Sequence, residues 1–425
     1  RMGKSRSARW LPTWNVSGAW NAHEEKFFSN LTSVLSHFTL KASYSLTADR
    51  GPADVTNSQA IITSYSPYRP FTSIQESGLY IKELENSELT YEKKHELNIG
   101  ADMGFLNNRI NLAVDWYKRN NYDLIGIVNT QGAGGQILKY ANIASMKSHG
   151  IEFTLSTKNI KTKDFNWNTD FIFSNAKNEV TDLKQNANVM ELISGNGFAK
   201  QGYPVRGLFS IPFVGLDKDG IPVIINEKGE ATSTDINFQE RQNTGFLKYE
   251  GPTDPTITGS LGNMFSYKGF RLNLFITYSF GNVIRLNPVF KAYYSDLTAM
   301  TREFKNRWTL PGDEAKTNVP AILSKRMYDS NEDLKYAYNA YNYSTERIAK
   351  GDFIRLKEIS LAYDFPKAWI NPLKLTDLSL KVQATNLFLI YADDKLNGQD
   401  PEFFNAGGVA SPVPRQFTIT LRLGL

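Results

Sequence analysis

The chain has 425 residues, a net charge of +5, 41% hydrophobic and 13% aromatic residues, so its length admits several ordinary domains or one large all-β object. No window approaches the roughly 18–20 uninterrupted apolar residues of a membrane-spanning helix; that excludes a helical membrane protein but not a barrel, whose strands need only about 10 residues apolar at alternate positions. The absence of cysteine removes thiol catalysis, thiolate metal sites and disulfides, and the dispersed charge lacks the concentrated basic footprint of a nucleic-acid binder.

The chain opens on Arg1-Met2-Gly3-Lys4-Ser5-Arg6 with no apolar stretch behind it. No secretory signal is read in this stretch, and the expectation is that either the protein stays inside the cell or its true beginning lies elsewhere. Period-2 alternation then predicts 11 strands, near 9–22, 36–50, 89–105, 109–127, 138–158, 165–180, 255–267, 270–285, 352–365, 375–390 and 414–425. The pattern is plain at Phe38, Leu40, Ala42 and Tyr44, again at Ile110, Leu112, Val114 and Trp116, and at Phe270, Leu272, Leu274, Ile276 and Tyr278. It breaks step in Phe353 to Phe365, where the apolar parity changes near Lys357 and Glu358, as a bulge or a boundary error would make it. The last strand presents Phe417, Ile419, Leu421, Leu423 and Leu425 on one face and Thr418, Thr420, Arg422 and Gly424 on the other.

The predicted connections alternate in length. Residues 24–35, 107–108, 159–164, 268–269 and 365–374 make short turns; residues 51–88, 181–254, 286–351 and 391–413 make long loops, with 128–137 a modest member of that set. Short turns on one rim and long loops on the other are the habit of bacterial outer-membrane barrels. Strand direction then alternates throughout, and the final strand runs down to end in the periplasm with its apolar face in lipid. The competing fold is a soluble all-β sandwich or propeller; strand length and loop asymmetry favour the barrel, and no repeat near 40–45 residues supports a propeller.

Catalytic patterns are lacking. His23, His37, His95 and His149 are scattered, and neither a G-x-S-x-G elbow nor a phosphate-binding loop is present. Gly132–Gly135 reads as a turn, since no Lys and Ser/Thr follow it, and Asp217–Gly220 is only a fragment of a calcium loop, with a hairpin behind it. No catalytic residue, metal or cofactor is expected. What remains is binding by loops: Tyr293, Tyr294, Trp308, Tyr336, Tyr338 and Tyr341, with acidic and amide neighbours, could stack on sugar rings or hold apolar peptide side chains. The alternative is that these aromatics pack the loops together or sit at the membrane interface.

Several stretches resemble the SusC-like family of TonB-dependent outer-membrane transporters of Bacteroidetes. They are Leu11–Phe28 with Phe38–Thr47, then Phe105–Ile125, Ala141–Leu155 and Phe165–Leu183, and finally Phe304–Pro320, Gly351–Lys367, Leu378–Ile390 and "GQDPE" at Gly398–Glu402. The resemblance spans nearly the whole chain, in family order. It implies a 22-stranded transmembrane antiparallel barrel of which this chain is the C-terminal half, residues 1–425 being barrel with long extracellular loops. The signal, TonB box, plug and first barrel strands are expected on another polypeptide or segment, because half a barrel would leave unpaired strand edges in hydrocarbon. The implied partners are that N-terminal barrel-and-plug portion, a SusD-like surface lipoprotein, TonB, outer-membrane lipid and an oligosaccharide or oligopeptide substrate, without nucleic acid. The expected function is TonB-driven import of a polar oligomer; the alternatives are an adhesion or binding protein anchored by its barrel, and a passive porin.

Overall fold

In the computed structural model the described residues are 10–51, 60–67, 77–86, 88–132, 138–290, 300–404 and 414–425. Eleven strands form one antiparallel sheet in sequence order: β1 (Trp14–Asn21), β2 (Leu35–Asp49), β3 (Glu92–Phe105), β4 (Ile110–Asn129), β5 (Leu138–Lys161), β6 (Phe165–Leu183), β7 (Ile257–Tyr267), β8 (Phe270–Phe280), β9 (Phe353–Asp364), β10 (Asp377–Ala392) and β11 (Gln416–Gly424). Each predicted strand has its counterpart, and the short and long connections fall where the alternation put them. β1 and β11 stand at the two ends of the sheet, each paired with a single neighbour among the described residues.

The short turns have local causes. Between β7 and β8 only Lys268 and Gly269 turn the chain, at φ 44° and 92°, with Tyr267 paired to Phe270; a two-residue hairpin of this twist needs positive φ at both positions, which glycine meets without strain. Between β3 and β4, where Phe105 pairs with Ile110, the turn places Leu106, Asn107 and Asn108 at φ 51°, 57° and 58°; asparagine tolerates the left-handed region better than most residues.

Register separates two faces, because directly paired residues point the same way. On one face Phe417 pairs with Ala384, Ile419 with Val382 and Leu421 with Leu380; Leu380 and Val382 in turn pair with Tyr363 and Leu361. The same face continues through Leu272, Leu274 and Ile276 of β8, Phe265 and Leu261 of β7, Trp167 and Phe171 of β6, and on to Trp20 and Val16 of β1. It is apolar nearly throughout, and Phe417 and Ile419 are 73% and 74% exposed. The opposite face carries ion pairs: Lys41 to Asp102 at 2.7 Å, Arg119 to Glu96 at 3.1 Å and Lys381 to Glu358 at 3.6 Å. Aromatic rings gather at the short-turn end of the apolar face, where Phe270 lies 4.4 Å from Tyr363, Tyr363 4.9 Å from Phe365 and Trp167 5.6 Å from Phe265. An apolar band edged by aromatics is what a lipid-facing barrel wall presents.

The parity break is a bulge. Ser360 and Glu358 pair with Asn273 and Phe275, but the next partners of β8 on that face, Thr277 and Ser279, meet Arg355 and Phe353. Lys357 is the extra residue, and the register of β9 against β10 shifts at the same place. The insertion turns Arg355 and Phe353 to the polar face and Ile354 and Leu356 to the apolar one.

The long connections β6–β7 and β8–β9 fold into a second body at the long-loop end. It holds α1 (Val189–Ile193), α2 (Lys325–Ser330) and α3 (Leu334–Asn342), a three-stranded sheet of Phe213–Leu216, Pro222–Ile225 and Ala231–Thr232, and the pair Gly207–Ser210 with Lys248–Pro252. A capping box between Asn188 and Glu191 starts α1. Val189, Leu192 and Ile193 bury against Phe209, Ile211, Ile224 and Ala340, so this body has an apolar core of its own. A further helix, α4 (Lys367–Ile370), lies in the turn between β9 and β10.

Candidate functional site

A cavity of about 540 Å³ opens where the loop body meets β7, β8 and β9. Its floor is Thr258, Thr277 and Ser279; its walls are Asn196 and Arg206 from the β6–β7 connection, Phe353 and Lys357 from β9, and Pro401, Glu402 and Phe404 from the β10–β11 connection. Hydroxyls, amides and charged heads thus alternate with Phe353, Phe404 and proline rings, a lining suited to holding a polar, extended molecule.

Three buried arginines hold the connections around the cavity. Arg355, 4% exposed, donates through Nη2 to both carboxylate oxygens of Asp400, at 2.5 and 2.6 Å, while its Nε lies 3.3 Å from Glu402 Oε2. Arg347, 2% exposed, pairs with Glu303 and donates to the Asn287 carbonyl at 2.7 Å. Arg285 donates to the carbonyls of Ser344 at 2.9 Å, Phe209 at 2.6 Å and Ile193 at 3.3 Å, tying both long connections together. Burial pulls its pKa down to about 9, so the guanidinium stays charged at neutral pH. Asn342 closes the arrangement: its Oδ1 accepts from the backbone of Val289 and Phe290, and its Nδ2 donates back to the Phe290 carbonyl.

Of the aromatic residues singled out in the sequence, Tyr293 and Tyr294 lie outside the described residues. Tyr338 and Tyr341 are each 1% exposed and belong to the interior of the loop body; Tyr341 packs against Phe213, and burial raises its hydroxyl pKa. Their place matches the loop-packing alternative rather than ligand contact. Trp308 is half-buried, its ring seated on Gly220 and its Nε1 donating to Glu314 at 3.0 Å. Tyr336 is 41% exposed. None of the four described residues, Trp308, Tyr336, Tyr338 and Tyr341, lines the cavity.

The fragment that suggested a calcium loop is an Asx turn: Asp217 Oδ1 accepts from the backbone of Asp219 and Ile221, both at 2.9 Å. The hairpin expected behind it is present, Ile224 pairing with Thr232. Among the described residues no group of three or more His, Asp or Glu side chains could hold a metal ion.

The sequence reading missed Arg355, Lys357 and Glu402 as site residues, although the parity break and the Gly398–Glu402 block pointed at both ends of the contact. It also missed α3, whose buried Leu334, Ala337, Tyr338 and Tyr341 follow helical spacing.

No family model matches the chain. Over 90% of its length it is 25% identical to the TonB-dependent receptor P3 of Formosa agariphila, covering 37% of that protein. Over 99% it is 26% identical to the TonB-dependent receptor SusC of Bacteroides thetaiotaomicron, covering 40% of it. The chain thus spans well under half the length of these curated relatives. Among solved structures it matches the RagAB peptide transporter with a TM-score of 0.77 at 23% identity, over 99% of this chain and 44% of that one. The fold is therefore that of a large part of a TonB-dependent transporter barrel, SusC-like along its whole length, and such barrels reside in the Gram-negative outer membrane.

Proposed function

We propose that this chain forms the C-terminal half of the wall of a TonB-dependent importer, with its long-loop body on the cell surface. The observation that carries the reading is the combination of a two-faced 11-stranded sheet with a built loop body and a polar cavity at their junction. An N-terminal portion supplies the remaining strands and a plug, which satisfies the strand edges at β1 and β11. A SusD-like surface lipoprotein covers the loop body, and periplasmic TonB displaces the plug through the N-terminal portion. The cargo is a polar oligomer, an oligosaccharide or oligopeptide; the polar cavity and the name of the RagAB peptide transporter support this class. The protein works by binding and conducting, not by catalysis. Among the described sequence-nominated residues, half-buried Trp308 and Tyr336, 41% exposed, are the candidates for contact with cargo or lipoprotein.

Deletion of the TonB box from the whole protein tests the reading. Uptake of cargo should cease while surface binding persists. Uptake that continues unchanged indicates a passive porin, and binding without uptake in the intact protein indicates an adhesin.

A further inference from the structure

The cavity holds two charged groups that its own architecture leaves available. Arg355 spends Nη2 on both oxygens of Asp400, whose side chain is 9% exposed, and reaches Glu402 only through Nε at 3.3 Å. Glu402 keeps 41% of its side chain exposed and lines the cavity. Lys357, the bulge residue, lines the same cavity, and its ammonium makes no hydrogen bond or ion pair with any described residue. The other cation of the lining, Arg206, is already engaged with Asp254 at 2.7 Å and the Asn196 carbonyl at 3.0 Å.

The charge count decides what suits the site. Arg355 and Lys357 balance Asp400 and Glu402, so the group is neutral overall, yet an ammonium and a carboxylate stand apart and incompletely paired. A polyanion would gain Lys357 and meet Glu402 as a like charge; an uncharged oligomer would leave Lys357 without a counter-charge and Glu402 with only its 3.3 Å contact to Arg355 Nε. A ligand that is neutral in sum and carries both signs satisfies both.

We propose that this cavity recognises a zwitterionic oligomer, a short peptide with free termini, through a carboxylate on Lys357 and an ammonium on Glu402. The hydroxyls of Thr258, Thr277 and Ser279 supply hydrogen bonds to its backbone without selecting side chains. The proposal rests on the import reading and narrows its cargo.

The test uses the whole transporter with its lipoprotein, purified in mild detergent from native outer membranes. The probes are a peptic digest of serum albumin, the same digest with amino groups acetylated, the same digest with carboxyls methyl-esterified, and a maltodextrin mixture. Retained molecules are identified by mass spectrometry. The untreated digest should be retained, with either blocking reaction lowering retention by about tenfold, the size of one lost charge-assisted hydrogen bond. Lys357→Met should lower retention of the untreated digest and be indifferent to esterification; Glu402→Gln should be indifferent to acetylation; Lys357→Arg should retain the wild-type preference. Heat-modifiable migration of each barrel establishes that it is folded. Retention indifferent to blocking, or unaltered in both variants, overturns the assignment. Retention of maltodextrins in place of peptides overturns the peptide class and leaves the importer standing, whereas retention of neither class counts against both.

Discussion

Arg355 on β9 holds Asp400 of the β10–β11 connection through one nitrogen, Nη2, which lies 2.5 and 2.6 Å from the two carboxylate oxygens. It reaches Asp400 because the bulge at Lys357 turns it to the polar face of the sheet. One extra residue in a strand therefore decides where a surface connection is anchored and which residues close the cavity.

Removing one partner of so buried a pair strands the other charge. Arg355→Met is expected to destabilise the 393–404 connection by about 3–5 kcal/mol, and a double replacement, Arg355→Met with Asp400→Leu, to recover much of that loss. Hydrogen exchange of residues 393–404 in the detergent-solubilised protein reads both, with the rest of the sheet unchanged.

The ring of Trp308 rests on a glycine. Gly220 has φ +76°, and a Cβ placed there would stand 2.5 Å from the Trp308 ring. Gly220→Val meets both a strained backbone and a steric clash, so it is expected to cost about 1–3 kcal/mol locally and to expel the indole. With the other tryptophans replaced by phenylalanine, the fluorescence of Trp308 should shift to the red.

Acid should loosen the loop carrying Trp308. Asp313 accepts from the Leu310 backbone and from Thr309, which hold its carboxyl below the ordinary value of 3.8; Glu314 accepts from Trp308 and Gly312, which hold it below 4.5. For carboxyls depressed in the folded state, the stabilisation is complete above the unfolded values and is lost as pH falls through the folded ones. Acrylamide quenching of Trp308 should therefore be flat down to about pH 5 and rise below about pH 4, with Glu314→Gln already quenched more strongly at neutral pH.

The sheet was legible in the sequence because one of its faces is apolar. Alternation at Leu378, Leu380 and Val382 or at Phe417, Ile419 and Leu421 depends on that face alone, and even the Lys357 bulge shows as a change of parity. The loop body was not legible, since its order comes from contacts distant in sequence. Arg285 of the β8–β9 connection binds the Ile193 and Phe209 carbonyls of the β6–β7 connection, 92 and 76 residues away, and nothing in the local pattern around Arg285 signals this. Tyr338 and Tyr341 were counted for their rings, when their spacing with Leu334 and Ala337 marked the buried stripe of a helix. The cavity escaped for a related reason: Arg355 and Glu402 are distant in sequence, and their meeting needs both the bulge and the turn of the β10–β11 connection.

The absence of cysteine from this chain makes the direct test of its central feature simple. Single cysteines at Phe417, Ile419 and Leu421, and at Thr418, Thr420 and Arg422, are introduced into the whole protein in native outer membranes and exposed to a water-soluble, membrane-impermeant maleimide, then to quenching by lipid-attached spin labels after fluorescent labelling. A barrel wall predicts that the first three are shielded from the aqueous reagent and quenched from the lipid, and that the second three show no lipid quenching. Equal aqueous labelling of both sets, without lipid quenching at any position, would contradict it.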